Sequence, residues 1–248
     1  MQKVICVWKR VGETPLQAIK EFKKANTEYE NESISYAGRL DPMAEGALLL
    51  LVGDENKKRK EYEGLKKEYE AEVVLGIATD SFDALGVILK QSDQREKTTS
   101  AISSCTKAFI GKQKQKFPPY SSKPVDGKPL YWWSRQNRIS EIEIPEKEIE
   151  IYSLVLDDER LVTGEELSRK ILARVKMVFG DFRQEDIVKQ WEKFGKAHSY
   201  EKFQVIKLSI SCSSGTYIRR LASDIGEKLS CGAFCLSIKR TRVGEHQP

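Results

Sequence analysis

From Glu68 to Ile77 the side chains alternate: Tyr69, Ala71, Val73, Leu75 and Ile77 fall on one face, and Glu68, Glu70 and Glu72 on the other. A period of two belongs to a β-strand with one face buried. The same period returns at Ile206, Leu208, Ile210 and Cys212, set against polar Lys207, Ser209 and Ser211. Tyr69 therefore sits on an apolar strand face, with its ring expected to be partly buried. With 248 residues, 40% of them hydrophobic, the chain is long enough to bury a substantial core around such strands.

Helices are marked by their ends. Thr14-Pro15-Leu16-Gln17 is a capping box with proline at the first helical position, and Leu16, Ile19 and Phe22 continue as a stripe. Thr163-Gly164-Glu165-Glu166 is a second capping box, followed at helical spacing by Leu167, Ile171, Leu172, Val175 and Val178. Gly180 is expected to end that helix, and Ile187, Val188, Trp191 and Phe194 mark its partner. Residues 158–200 thus read as a helical insertion, too short to hold a core of its own. Ser213-Ser214-Gly215 turns into a helix carrying Ile218, Leu221, Ala222, Ile225 and Leu229, with Arg219 near its start. At the N-terminus, Val4, Cys6 and Trp8 alternate with Lys3, Ile5 and Val7, which predicts a strand largely buried on both faces. Residues 112–138 are rich in Lys, Gln, Pro, Ser and Gly, with Tyr120, Tyr131, Trp132 and Trp133 among them, and read as a projecting loop. With no internal repeat and no long linker, the reading is one α/β domain over residues 1–248, of α+β type.

Several chemistries are disfavoured. No apolar run approaches the roughly 18 residues of a membrane span, and the first ten residues lack a signal peptide's apolar core, so the expectation is a cytoplasmic protein. The five cysteines have no zinc-ligand spacing and read as reduced, mostly buried thiols; with only His198 and His246 besides, metal catalysis and a histidine-centred triad are disfavoured. A net charge of +5, from 42 bases and 37 acids, permits an anionic partner. Its distribution says more: Lys57 to Lys60, Lys112/Lys114/Lys116 and Lys239/Arg240/Arg242 form three basic clusters near aromatics, the footprint of a nucleic-acid binder.

The most unusual segment is Gly38-Arg39-Leu40-Asp41-Pro42-Met43-Ala44-Glu45-Gly46, ahead of the apolar run Ala47 to Val52. Two glycines and a proline shape a tight loop before a buried strand, a common seat for a reactive side chain. Equally, Asp41-Pro42 can simply open a turn, and the residues alone leave both readings open.

This segment, with Gly53 after the strand, resembles the catalytic loop of the TruB-type pseudouridine synthases. The likeness extends in order along nearly the whole chain: Lys9 to Thr14, Lys67 to Ala71, the acidic turn Thr79-Asp80-Ser81-Phe82-Asp83-Ala84-x-Gly86, Phe117 to Gln136 around Pro119-Tyr120-Ser121-Ser122-Lys123, Cys212 to Leu221 and Cys231 to Gly244. The resemblance implies a pseudouridine synthase fold, with a mixed, mostly antiparallel central sheet flanked by helices and 112–138 as an RNA-gripping loop. It implies Asp41 as nucleophile, Arg219 as its ion-pair partner, and Tyr69 as the aromatic that stacks on the target base and assists loss of the C5 proton. Tyr217 and Ile238 would line the base pocket, with Lys9, Tyr36 and Lys123 as further substrate contacts. The substrate implied is RNA, most often the T-loop uridine at position 55 of tRNA, handled by a monomer with neither metal nor redox cofactor.

Three departures qualify it. Tyr36 stands where the family usually has histidine, Arg39 where a small hydroxyl residue is usual, and the chain stops near Gly244, with no room for the C-terminal PUA domain of many relatives. Two other functions fit parts of the pattern. An RNA-binding or tRNA-folding module would need no carboxylate aimed at RNA, and a glycoside hydrolase would need a second carboxylate facing Asp41, for which Glu45 is the near candidate.

Overall fold

The computed structural model describes residues 2–248. The chain opens with β1 (Val4–Lys9), α1 (Pro15–Ala25), β2 (Ile34–Ala37) and β3 (Ala44–Val52), followed by α2 (Arg59–Gly64) and β4 (Lys67–Leu75). A small hairpin of β5 (Ile77–Thr79) and β6 (Ile88–Gln91) leads to α3 (Thr99–Lys107) and β7 (Gly111–Lys116). The next segment carries only the two-residue strands β8 (Pro124–Val125) and β9 (Lys128–Pro129) and the short α4 (Leu130–Arg135). Last come β10 (Glu146–Thr163), α5 (Gly164–Val175), α6 (Gln184–Ala197), β11 (Lys202–Cys212), α7 (Ile218–Lys228) and β12 (Ala233–Val243).

Seven strands form one sheet in the order β1-β3-β12-β4-β11-β10-β7, and β2 adds to β3. Every pairing is antiparallel except β3 with β12, which run parallel from Ile238 opposite Ala44 to Arg240 opposite Gly46. This is the expected mixed, mostly antiparallel sheet. Alternation of side chains gives each strand two faces to bury. On one face Ala71, Val73, Ile206, Leu208, Ala233 and Cys235 pack against Ile102 of α3 and Ile218, Leu221 and Ile225 of α7. On the other, Val74, Phe203, Val205 and Phe234 meet Leu167, Ile171 and Val175 of α5 and Ile187, Trp191 and Phe194 of α6. The run Ala47–Val52 is buried on both sides, Leu48 and Leu50 under α1 and Leu49 and Leu51 toward Tyr62 and Leu65.

Both capping boxes form, at Thr14 with Gln17 and at Thr163 with Glu166. Four readings need correction. β1 pairs only with β3, so it is an edge strand, half-buried rather than covered on both faces, with Trp8 42% exposed. Residues 112–116 belong to the edge strand β7, bonded to β10, so the projecting segment begins at Phe117. The helical insertion begins at Gly164, not residue 158, because β10 runs on to Thr163 against β11. Its first helix ends at Val175 rather than at Gly180, which lies in the connection to α6. Of the five cysteines, Cys105, Cys212, Cys231 and Cys235 are buried and all are free thiols.

Candidate active site

Between β2 and β3 the chain turns sharply, with the Ala44 N–H donating to the Asp41 carbonyl at 3.0 Å. Gly38 and Gly46 frame the turn at φ 76° and 109°, where a side chain is strained. Asp41 projects from this loop into a cleft of about 800 Å³, near the upper end of the range for small-ligand sites. Tyr69, Asp83, Tyr120, Tyr217, Arg219, Ile238 and Arg240 also line it.

Arg219 lies one residue inside the start of α7 and is 3% exposed, while the Asp41 side chain keeps 33% exposure. The Arg219 Nε donates to Asp41 Oδ2 at 2.8 Å, one terminal nitrogen to the Ser81 carbonyl at 2.9 Å, and the other to the Tyr120 carbonyl at 2.9 Å. The cation is thus locked from behind and the carboxylate is open in front. This asymmetry pairs Asp41 with a fixed guanidinium and leaves its carboxylate reachable. Asp83 stands beside the pair, buried, its Oδ1 accepting from Ser81 Oγ at 2.6 Å and from the Leu85 N–H at 2.9 Å. Burial raises its carboxyl above the ordinary range, against the pull of Arg219. Asp83 lines the cleft, as do Glu63 and Asp181, whereas Glu45 does not.

Tyr69 is 9% exposed, between Ile210 of β11 and Arg240 of β12 in the sheet register. Burial pushes its phenol up to about 12, although Arg240 pulls the other way, so the hydroxyl carries its proton at neutral pH. Tyr217 caps α7 and packs edge-on against Phe117 at 5.6 Å, its backbone held by Gln115. Ile238, buried, faces the cleft from β12. These residues, 41, 69, 217, 219 and 238, share one cavity.

Three predicted contacts do not join them. Tyr36 pairs with Leu50 across β2 and β3 and packs with the α1 cluster, 5.3 Å under Arg59. Lys123 is exposed on the 117–145 segment, its ammonium 5.3 Å from the Phe117 ring. Lys9 is wholly buried, donating to the Ala44 carbonyl at 2.6 Å and the Arg10 carbonyl at 3.0 Å; it braces the Asp41 loop from beneath.

Burial pulls the Lys9 ammonium down from 10.5 to about 8, despite nearby Glu13 and Asp41. Between those pH values the unfolded chain holds a proton that the folded chain has lost, so wild-type stability rises with pH, by at most about 1.4 kcal/mol per pH unit. Lys9→Met lacks that gain. Urea melts from pH 7 to 10 should show the wild type pulling ahead of the variant above pH 8, and a constant difference would contradict the buried ammonium.

Arg240 is the residue that sequence reasoning misplaced. Counted there among surface cations, it is 1% exposed, its Nε donating to the Ala47 carbonyl at 2.7 Å and a terminal nitrogen to the Gly38 carbonyl at 2.9 Å. It therefore ties both ends of the Asp41 loop to β12. Its neighbours Lys239 and Arg242 pair with Glu70 and Glu68, so the third basic cluster is largely neutralised. Positive charge gathers instead in the cleft, where eight Lys and Arg residues face four carboxylates.

A family model described as TruB family pseudouridylate synthase (N terminal domain) matches residues 26–177. The chain belongs to the TruB family. Among curated TruB relatives, the tRNA pseudouridine synthase B of Geotalea uraniireducens (strain Rf4) is 30% identical over 244 residues, covering 98% of this chain and 64% of that protein. The protein of the same name from Xanthomonas campestris pv. campestris (strain 8004) is 30% identical over 228 residues, covering 92% and 58%. The chain thus spans about three-fifths of the length of these TruB relatives. In fold it resembles a chain of a Cbf5-Nop10-Gar1 complex, with a TM-score of 0.58 at 17% identity, over 98% of this chain and 50% of that one. The family's catalytic-loop pattern and its closing pattern, 178 positions apart at Asp41 and Arg219, meet in one ion pair.

Proposed function

We propose that this protein isomerises uridine to pseudouridine in structured RNA, with the T-loop uridine at position 55 of tRNA as its substrate. What carries the reading is the exposed Asp41 carboxylate backed by a buried guanidinium in a cleft walled by Tyr69, Tyr217 and Ile238. The uridine must leave its stack to reach that depth, and a tyrosine ring offers it roughly 1–3 kcal/mol of stacking in return. Asp41 then adds to the sugar or the base and departs again, so the glycosidic bond breaks at N1 and re-forms at C5. Arg219 holds the carboxylate in place through both steps. Tyr69 serves as the stacking surface for the base and assists loss of the C5 proton, while N1, once its bond to the sugar is broken, takes up a proton. The names of the curated relatives support tRNA as the substrate, and the cation-rich cleft supports a polyanion.

Neither competing function has comparable support. A glycoside hydrolase needs a second carboxylate open to its substrate, whereas Asp83 is buried and bonded to Ser81 and Leu85, and the other carboxylates of the cleft, Glu63 and Asp181, are paired with Arg59 and Arg135. A purely RNA-binding module has no use for a carboxylate directed into the RNA cleft.

The test is a T-arm stem-loop transcript incubated with the protein and digested for nucleoside analysis. Pseudouridine is expected at position 55, and none in a transcript with cytidine there. Pseudouridine appearing only in ribosomal RNA from total cellular RNA would refute the tRNA assignment. None in any RNA would refute the activity.

A further inference from the structure

The connection between α5 and α6 reaches across the cleft to the 117–145 segment, and it does so beside Arg219. Tyr120 supplies the carbonyl that holds one arm of the Arg219 guanidinium, at 2.9 Å. The segment bearing Tyr120 has little regular structure of its own, so something else must fix that carbonyl. The Tyr120 side chain shows what does. Its hydroxyl donates to Asp80 Oδ2 at 3.0 Å, and the Arg183 guanidinium lies 4.2 Å from its ring centroid. Arg183 also forks onto the same carboxylate, at 2.7 Å to Oδ2 and 3.3 Å to Oδ1. Asp80 is itself anchored by the Val87 N–H at 3.0 Å.

This is more than a surface ion pair. The two side chains are 23% and 15% exposed, and a bidentate, stacked arginine is geometrically exacting in a way that lysine cannot reproduce. Arg183 adopts a left-handed conformation, φ 63° and ψ 31°, which disfavours any residue with a Cβ. Its amide donates to Asp181 Oδ1 at 3.2 Å, and Asp181 accepts Arg135 of α4 through both its side chain, at 3.1 Å, and its carbonyl, at 2.5 Å. The α5–α6 connection therefore grips the 117–145 segment at two points, one of them a single residue's length from the nucleophile's partner.

We propose that Arg183 is a positioning residue for catalysis. By pinning the Tyr120 ring against Asp80 it sets the Tyr120 carbonyl, which sets Arg219, which orients Asp41. The proposal rests on the reading of Asp41 as the nucleophile of uridine isomerisation. It gives the helical insertion a task in assembling the active site, distinct from holding RNA.

The experiment compares wild type, Arg183→Ala, Arg183→Lys, Asp80→Asn and the Arg183→Ala/Asp80→Asn double variant on a T-arm stem-loop. Single-turnover rates at saturating protein are set beside equilibrium RNA binding. Arg183→Ala should slow the chemical step by roughly ten- to a hundredfold, the scale expected when reacting groups are slightly misplaced, with binding altered by less than about threefold. Arg183→Lys should recover only a small part of the rate, and the double variant should be little slower than the single ones, since all act through one link. Hydrogen exchange in peptides covering 117–135 should speed up in Arg183→Ala. An unchanged rate, a rate loss that saturating protein abolishes, or full additivity would overturn the proposal. Were the wild type inactive on every RNA, the functional reading would fall. Exchange alone would then judge the clasp: faster in the variant upholds it, unchanged overturns it.

Discussion

Asp41→Asn is expected to produce no measurable pseudouridine while binding RNA as well as the wild type or slightly better. The amide is nearly isosteric and still presents an oxygen to the Arg219 Nε, which now approaches Oδ2 at 2.8 Å, so the loop should keep its shape. What disappears is the negative charge, and with it the ability to add to carbon and leave again. Loss of a nucleophile lowers turnover by about a thousandfold or more, because no neighbouring group replaces it. Asp83 cannot, being buried and bonded to Ser81 and Leu85. Binding should hold because RNA affinity comes from cations, and removing an anion from a positive cleft reduces repulsion of phosphate. Nucleoside analysis after long incubation, paired with filter binding at fixed salt, checks both halves. Retained isomerisation would remove Asp41 from the chemistry, and lost binding would make it a structural residue.

Strands β1, β3, β4 and β11 and helices α1, α5, α6 and α7 were legible because their signals are local. β4 and β11 alternate cleanly, and α1 and α5 announce themselves with capping boxes that form as read. β10 was not read as a strand, and its residues 158–163 were given to the helical insertion, because register shifts between Ile151 and Ser153 and between Leu156 and Asp158 break its period of two. β1 was read as doubly buried because composition cannot distinguish an edge from a centre; only the sheet order does.

The site divides in the same way. The strained loop around Asp41 is visible from its glycines and proline, but its partner lies 178 positions away, and only the family pattern joined them. Arg240 and Lys9 escaped because long cations normally point to water, and here each is spent on backbone carbonyls. Tyr36 lies outside the cleft for a geometric reason. Opposite Leu50 in the β2–β3 register, it shares Leu50's face toward α1, whereas the cleft lies elsewhere.

Gly46→Ala is expected to be the most damaging single methyl group that can be added near the site. Gly46 sits at the end of the short parallel run of β3 with β12, opposite Arg240. A Cβ there would lie 2.1 Å from the Arg240 carbonyl oxygen and 2.8 Å from its amide nitrogen, both backbone atoms that cannot swing aside. The φ of 109° adds conformational strain for any L side chain. Relief requires β12 to move off β3, which withdraws the Arg240 bonds to the Ala47 and Gly38 carbonyls and shifts Ile238 away from Ala44 at the cleft wall. Overpacking and backbone strain together should cost about 4 kcal/mol or more, and at about 2–4 °C per kcal/mol for a chain of this size the melting temperature should fall by about 10 °C. Gly64→Ala, at a helical position with open space around it, is the control and should melt no lower than the wild type. Thermal melts followed by circular dichroism decide the matter. A Gly46→Ala protein melting with the wild type would mean that the β3–β12 junction yields easily, and that Arg240 does not hold the Asp41 loop in place.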